Sequence, residues 1–332
     1  MKKEAGMLLV LVLLSGFIAM MSDGNFFTEY NMQNVGKHTA LLVIFAVGQA
    51  FVIISGGIDL SVGAIVGFAA VMTVISSTNQ EGLMPWLNLP MGLAVPFVIG
   101  LCALIGFVQG QIISRLKLAP FIVTLSGMMI VGGFNQIITR GTNVGFRNTH
   151  EVFANLADST FLGVGIPFWV LIGVLAVAAY LLHFSVFGRY VYALGGNAEA
   201  ARYSGVPAHQ VTVSVYVVSA TAAGIAGVLY AAYLPSLSYT TGIMFELYAI
   251  AACVLGGCSL MGGAGTVMGV LIGGAIMRVL RNGINLFVIS PGTEREFRLD
   301  SNSEKFIVGV VILIAVIFDV VLKRWNDLKT QR

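Results

Sequence analysis

The sequence predicts an all-α polytopic membrane protein with about ten transmembrane helices, in which two glycine-broken helix regions are related by an internal repeat. Three observations lead to this fold class. Hydrophobic residues make up 57% of the 332 residues and charged residues only 10%, more apolar surface than a soluble globule can bury. The apolar residues cluster in runs of roughly bilayer length. A glycine-rich sequence also recurs at positions whose numbers differ by 200.

Ten apolar runs are predicted to form the membrane-spanning helices of a single domain that covers residues 1–332. A helix that crosses a bilayer needs roughly 20 mostly apolar residues, and we expect the shorter runs inside the bundle. The candidates are Met7 to Met21, Ala40 to Ser55, Ser61 to Ser76, Met91 to Ser114, Pro120 to Thr139, Ile166 to Phe184, Val211 to Leu234, Phe245 to Gly256, Gly265 to Phe287 and Phe306 to Lys323. The first lacks a small-residue cleavage site, so we interpret it as an uncleaved helix.

The distribution of Lys and Arg predicts the orientation, since short cytoplasmic loops carry an excess of both. With ten spans and both termini in the cytoplasm, the main basic clusters fall on the inner side: Lys2, Lys3, Arg115, Lys117, Arg189, Arg202, Lys323, Arg324, Lys329 and Arg332. The basic residues of the outer loops are mostly accompanied by acidic ones. The net charge of +3 is confined to such segments and gives no indication of a nucleic-acid partner.

The internal repeat aligns residues 56–64 with residues 256–264. The two copies agree at Gly56, Gly57, Leu60, Gly63 and Ala64 and at the positions numbered 200 higher. Glycine-interrupted spans in both halves of a chain are typical of broken helices that line a transport site. The alternative is that these glycines only let helices pack closely. We therefore take Gly56, Gly57, Gly256 and Gly257 as candidate pathway residues.

The stretch from Gly188 to Pro207 is predicted to contain a short, polar, capped helix. Asn197 is placed to act as the N-cap of residues 198–203, and Glu199 lies at the positive end of the helix dipole. Gly205 can adopt the left-handed conformation that ends a helix, and Pro207 cannot continue one. Two turns are marginal on their own, so we expect the helix to be held by packing, including packing against a partner.

Asp59 is the carboxylate most closely flanked by apolar spans. A charge at such a place is costly, which favours a gate or pathway role. The simpler interpretation is that Asp59 caps the helix that begins at residues 60–62. Both interpretations remain open.

Two polar stripes run along predicted spans. One comprises Arg278, Arg281, Asn282 and Asn285, and the other comprises Gln136, Arg140 and Asn143. Amide and guanidinium groups suit sugar hydroxyls because unpaired buried polar groups are costly, but both stripes lie where Arg can also extend to the membrane interface. Further pathway candidates in apolar runs are Gln49, Gln109 and Gln111.

Motifs for chemistry are missing from the sequence. It contains no Gly-x-x-x-x-Gly-Lys-Ser/Thr loop, no His-Glu-x-x-His and no Gly-x-Ser-x-Gly, so we expect neither nucleotide hydrolysis by that loop nor a catalytic or metal site. Cys102, Cys253 and Cys258 fit no zinc or redox spacing and are expected to be small buried hydrophobes.

Four stretches together resemble the ribose/xylose/galactose-type permeases of ABC importers, in order and over nearly the whole chain. They are residues 54–63, residues 119–125, residues 193–197 with 200–201 and 204–206, and residues 246–251 continued through 256–257 to 265. Glu246, which opens the last stretch, is a further pathway candidate. The insert at residues 292–305, between the last two predicted spans, is longer than expected for the type. It is placed on the extracytoplasmic side, where it bears on the outer docking surface.

The resemblance implies a monosaccharide permease, for a pentose such as ribose, in a bacterial plasma membrane. It implies a pair of permease subunits, two cytoplasmic ATPase subunits that use ATP and Mg, and an extracytoplasmic sugar-binding protein, with no cofactor on this chain. The counterpart of the capped helix is the coupling helix that contacts the ATPase, which assigns that role to Gly188, Gly195, Asn197, Glu199, Ala200, Ala201, Arg202 and Gly205. The alternatives are an ABC permease for branched-chain amino acids or another small solute, an ion-coupled transporter using Asp59, and a non-transporting scaffold.

Overall fold

The computed structural model describes residues 2–22, 24–78, 87–146, 159–286 and 306–310, with shorter stretches elsewhere. Helices dominate the described residues, as the sequence predicts. They are α1 (Lys2–Met21), α2 (Glu29–Ile54), α3 (Val62–Ser77), α4 (Met91–Leu116), α5 (Pro120–Thr139), α6 (Ile166–Ala179), α7 (Val186–Gly196), α8 (Ala198–Tyr203), α9 (Ala208–Tyr233), α10 (Phe245–Leu255) and α11 (Val267–Leu286). A 3-10 turn at Asn25–Phe27 precedes α2, and a π-helical turn at Tyr180–Phe184 follows α6.

Two short antiparallel strand pairs are also described, and residues 306–310 are helical. Strands β1 (Thr160–Phe161) and β2 (Val164–Gly165) pair just before α6. Strands β3 (Val288–Ile289) and β4 (Phe297–Arg298) pair beyond α11. Apart from β4, the predicted insert at 292–305 lies outside the described residues, as does most of the tenth predicted span.

Seven described helices are long and apolar enough to cross a membrane: α1, α2, α4, α5, α6 with its π-helical turn, α9 and α11. The helices α3 and α10 are apolar but shorter. The described residues thus account for nine of the ten predicted spans, and the total of ten is not confirmed. The predicted bounds of α5 are those observed, whereas α2 begins at Glu29 rather than Ala40 because its polar first turns continue the helix.

The core of the bundle is built around α2 and α9. Every residue from Ala40 to Ile54 is buried, so this half of α2 is covered on all sides. Helix α9 packs against α2, α3 and α4, and small residues allow the backbones to approach. A Cβ at Gly227 would meet Ala69 of α3 at 2.5 Å, and one at Gly106 would meet Ala220 of α9 at 2.7 Å. Close glycine contacts are typical of helix packing in membranes.

The second repeat copy forms a helical hairpin in which α10 packs against α11, and both contact α2. The rings of Phe45 on α2 and Phe245 on α10 stack at 5.8 Å. The Cys253 thiol donates to the Ala46 carbonyl oxygen at 3.2 Å. Both copies of the repeat are therefore joined through α2, while the outward sides of α1, α4, α5 and α6 carry exposed apolar residues.

Candidate functional site

The short helix α8 is closed at both ends in the way the sequence predicts. Asn197 is extended (φ −157°, ψ 103°), and its Oδ1 accepts from the Ala200 backbone nitrogen at 2.9 Å. At the other end Gly205 has φ +82°, and the Val206 nitrogen donates to the Ala201 carbonyl at 3.0 Å. This Schellman ending satisfies carbonyls that a frayed helix would leave to water. The N-cap and the left-handed glycine are confirmed.

The two adjacent alanines of α8 have different surroundings. Ala201 is buried and anchors the helix, whereas Ala200 is exposed. Glu199 and Arg202 are exposed as well, and Tyr203 is 91% exposed. Helix α8 therefore presents a small charged and aromatic surface on a rigid backbone. Sequence reasoning missed Tyr203, although an aromatic residue in an otherwise polar helix was a usable sign.

A second helix, α7, precedes α8 and was not predicted from the sequence. Gly188 lies in its first turn, where its nitrogen donates to Ser185 Oγ at 3.2 Å. A Cβ at Gly188 would overlap the Leu182 carbonyl oxygen. Gly188 thus shapes the turn into α7. It lies at the opposite end of α7 from α8 and is not part of the exposed surface of α8.

The glycine repeat marks the ends of α2 and α10. We name the connection between α2 and α3, residues 55–61, the first glycine loop, and that between α10 and α11, residues 256–266, the second glycine loop. Gly56 (φ +87°) and Gly257 (φ +76°) are the left-handed residues that end the two helices. Gly256, in contrast, has a negative φ of −77°.

The predicted register of the repeat is therefore wrong by one residue at this point. Gly56 is equivalent to Gly257, because α2 ends at Ile54 and α10 ends at Leu255. The loops also differ in length, so identical letters do not occupy identical positions. What the two copies share is a helix that stops at a left-handed glycine and continues into a loop facing α7.

Asp59 lies in the first glycine loop and is fully buried. Its Oδ1 accepts from the Ser61 nitrogen at 2.9 Å and from Ser61 Oγ at 2.6 Å. Its Oδ2 accepts from Ser219 Oγ of α9 at 2.9 Å. The predicted N-cap role is wrong because α3 begins at Val62, three residues later. The carboxylate instead ties the loop to α9, and Ser219 is a partner that sequence reasoning missed.

A polar cavity lies among α2, α9, α10 and α11. It has a volume of about 320 Å³, and its lining includes three predicted pathway residues, Arg278, Asn282 and Asn285. A neighbouring cavity of about 620 Å³ shares Asn34 and Tyr233 with it. We name the two together the outer cavity. The predicted stripe on α11 is thus brought together with aromatic residues of α9.

Hydrogen bonds organise the wall of the outer cavity. Arg278 Nε donates to the His38 carbonyl oxygen at 3.0 Å. His38 Nε2 lies 3.2 Å from the Tyr233 hydroxyl. Asn282 and Asn31 exchange two amide hydrogen bonds, of 2.7 and 3.0 Å. His38, Tyr230 and Tyr233 were not selected from the sequence, where the spacing of the two tyrosines on α9 gave a weak indication.

The remaining predicted pathway residues lie elsewhere. Gln49 is fully buried on α2, and its amide has no hydrogen-bond partner among the described residues. Gln136 is exposed on α5 and lines neither part of the outer cavity. Glu246 lies in the first turn of α10, with its carboxylate over Gly63 of α3. A Cβ at Gly57 would meet the Tyr216 hydroxyl at 2.7 Å.

Comparison with known proteins matches residues 31–316 to a family described as branched-chain amino acid transport system / permease component. Curated relatives match nearly the whole chain. The ribose import permease protein RbsC of Haemophilus influenzae is 36% identical, covering 94% of this chain and 91% of that protein. The L-arabinose transport system permease protein AraH of Escherichia coli is 36% identical, covering 95% and 90%.

A third relative is the galactose/methyl galactoside import permease protein MglC of Escherichia coli. It is 34% identical, and the match covers 96% of this chain and 94% of that protein. No solved structure matches the chain. The matches agree with the arrangement of multiple membrane-length helices, and they span both glycine loops, α8 and the outer cavity.

Proposed function

The chain belongs to the family of branched-chain amino acid transport system permease components, and from that premise we propose that it is the membrane subunit of an ATP-driven importer for a monosaccharide. The observation that carries the proposal is the match, over nearly the full length of both chains, to permeases named for ribose, arabinose and galactose. Ribose is the first substrate to test. The chain lies in a bacterial plasma membrane and acts in a pair with a second copy or a homologue.

Helix α8 is the surface through which a cytoplasmic ATPase subunit acts on this chain. Its closed ends support this role, because a capped helix moves as a unit where an open loop would deform. Arg189 and Arg202, in α7 and α8, support a cytoplasmic position, because short cytoplasmic loops carry an excess of Lys and Arg. His209, in the first turn of α9, contacts Ser114 at 2.8 Å, which places Arg115 and Lys117 at the same end as α8. ATP and Mg belong to the partner subunit.

The outer cavity receives the sugar from an extracytoplasmic binding protein. Its amide groups can pair with hydroxyls, and its tyrosine rings offer flat apolar surfaces to the carbon face of a sugar. A cavity of about 320 Å³ exceeds the size of a single pentose, which supports a site that holds the solute loosely. Weak holding is required where the solute must also leave.

Two competing functions stay testable. The family description names branched-chain amino acids, and Asp59 raised the possibility of ion coupling. Purified importer in proteoliposomes should take up labelled ribose when ATP is enclosed with the ATPase. Competition by leucine rather than ribose would favour the amino acid permease, and uptake driven by an ion gradient without ATP would favour the secondary transporter.

The exposed Ala200 allows a direct test of the proposed ATPase contact. Replacing Ala200→Arg should lower ATP-dependent uptake at least about fivefold, because a bulky charge is placed in the contact without touching the bundle. Ala119→Arg is the matched control, since Ala119 is also exposed, in the connection between α4 and α5. Wild-type uptake by Ala200→Arg would refute the assignment of α8.

A further inference from the structure

Three chain segments meet through their backbones beside α8. The Gly263 nitrogen of the second glycine loop donates to the Ile54 carbonyl oxygen at the end of α2, at 2.8 Å. Gly195, in the last turn of α7, lies directly against this hydrogen bond. A Cβ at Gly195 would overlap the Ile54 oxygen and would lie 2.6 Å from the Gly263 nitrogen. The contact therefore has room for glycine alone at position 195.

The neighbouring glycines extend the same contact. A Cβ at Gly262 would lie 2.6 Å from the Gly195 carbonyl oxygen and 3.0 Å from the Gly56 Cα atom. Gly262 and Gly263 have φ of +84° and +74°, so the second loop presents its backbone here in a conformation that favours glycine. We name Gly56, Gly195, Gly262 and Gly263 the glycine junction. It joins α7 to both repeat copies.

Two side-chain contacts fix α7 beside the junction. The Tyr192 hydroxyl donates to the Gly265 carbonyl oxygen of the second loop at 2.7 Å. Phe187 stacks on Phe51 of α2 at 6.1 Å. On the other side, Gly195 lies two residues before the cap of α8, and the Asn197 nitrogen donates to the Ala193 carbonyl at 3.1 Å. Helix α8 is thus joined to the junction without a flexible spacer.

Direct backbone contact transmits displacement better than contact between long side chains, because side chains can absorb movement by changing rotamer. A shift of α8 would reach the ends of α2 and α10 through this contact. The first glycine loop continues to Asp59, whose carboxylate accepts a hydrogen bond from Ser219 of α9. A displacement of this loop would therefore reach α9 as well.

We propose that the glycine junction transmits movement of α8 to both repeat copies at once, and that Gly195 is its positioning residue. The inference rests on the proposed coupling role of α8. ATP hydrolysis then drives transport only while the α7 backbone contacts the Ile54–Gly263 hydrogen bond. Loss of the contact should separate the two processes and leave docking of the ATPase intact.

The test compares Gly195→Ala with Gly196→Ala in the assembled importer. The control is closely matched, because the residues are adjacent in α7 and a Cβ at Gly196 would meet nothing within 4 Å. We expect Gly195→Ala to retain the ATPase in co-purification and to require at least about fivefold more ATP per sugar transported. Gly196→Ala should keep the wild-type ratio. A wild-type ratio in Gly195→Ala would overturn the junction and leave the α8 assignment standing.

If the Gly195→Ala importer does not assemble, the Tyr192→Phe variant tests the glycine junction instead. This change removes the hydroxyl that binds the Gly265 carbonyl and preserves the ring. A ratio of ATP to sugar raised about twofold or more would support the junction, since α7 would be held less firmly. An unchanged ratio would overturn it. Absence of any ATP-dependent uptake by the wild-type importer would instead refute the proposed function.

Discussion

The two ends of the helix bundle are built by different means. Around α8 the important contacts join backbone to backbone, through Gly195, Gly262 and Gly263. Around the outer cavity they join side chains, such as His38 with Tyr233 and Asn31 with Asn282. A backbone contact has little freedom to relax, whereas a side chain can change rotamer. The first end is suited to transmitting force, and the second to accommodating a solute.

We expect the largest effect from a methyl group added at the glycine junction. Gly262→Ala and Gly24→Ala both introduce a side chain at left-handed backbone, with φ of +84° and +80°. Each should cost about 1 kcal/mol for that conformation. Gly262→Ala should cost about 1–3 kcal/mol more, because its Cβ meets the Gly195 oxygen, whereas a Cβ at Gly24 meets nothing within 4 Å.

Thermal unfolding of the two variants in detergent measures this difference. The pair separates the backbone conformation, which both share, from the close contact, which only Gly262 makes. Similar loss of stability in both variants would show that the glycine junction is not tightly packed.

An intermediate effect is expected from the cap of α8. Asn197→Ala removes the acceptor for the Ala200 nitrogen and should destabilise α8 by about 1 kcal/mol. ATP-dependent uptake should fall a few-fold while insertion of the bundle persists. Asn197→Ser restores a capping oxygen and should recover most of the uptake. If Asn197→Ser shows no more uptake than Asn197→Ala, the cap of α8 does not contribute to coupling.

The smallest effect is expected in the outer cavity. Asn285 lines it and is exposed to it, so Asn285→Ala should raise the sugar concentration for half-maximal uptake about twofold to fivefold, with one hydrogen-bonding group lost. The ATP used per sugar should not change. Gln136→Ala is the control, because Gln136 is polar and exposed but lines neither part of the cavity. A larger effect at Gln136 would move the substrate path to α5.

The sequence predicted the fold most accurately where hydropathy alone defines a helix. The bounds of α5 agree to the residue because its apolar run ends at both sides in polar or turn residues. Helix α2 was placed eleven residues too late, since hydropathy reports the apolar segment rather than the helix. Helix α7 was missed because it has only 11 residues, too few to be found as a membrane span, and ends in two glycines.

The candidate sites also differ in how well they could be predicted from the sequence. The cap of α8 could be predicted because capping depends on residues close in sequence. The glycine junction could not, since its hydrogen bond joins residues 54 and 263 and its close contact involves residue 195. The stripe on α11 was predicted from its spacing, yet its partners on α2 and α9 depend on packing between distant segments.

The side of the membrane on which α8 lies tests the central claim most directly. Cys102, Cys253 and Cys258 are buried, so Glu199→Cys provides an exposed thiol on α8 for a membrane-impermeant maleimide. We expect labelling in inside-out vesicles, protection of the thiol when the ATPase subunit is bound, and no labelling in right-side-out vesicles. Labelling of Glu199→Cys from the outside would contradict the coupling role of α8.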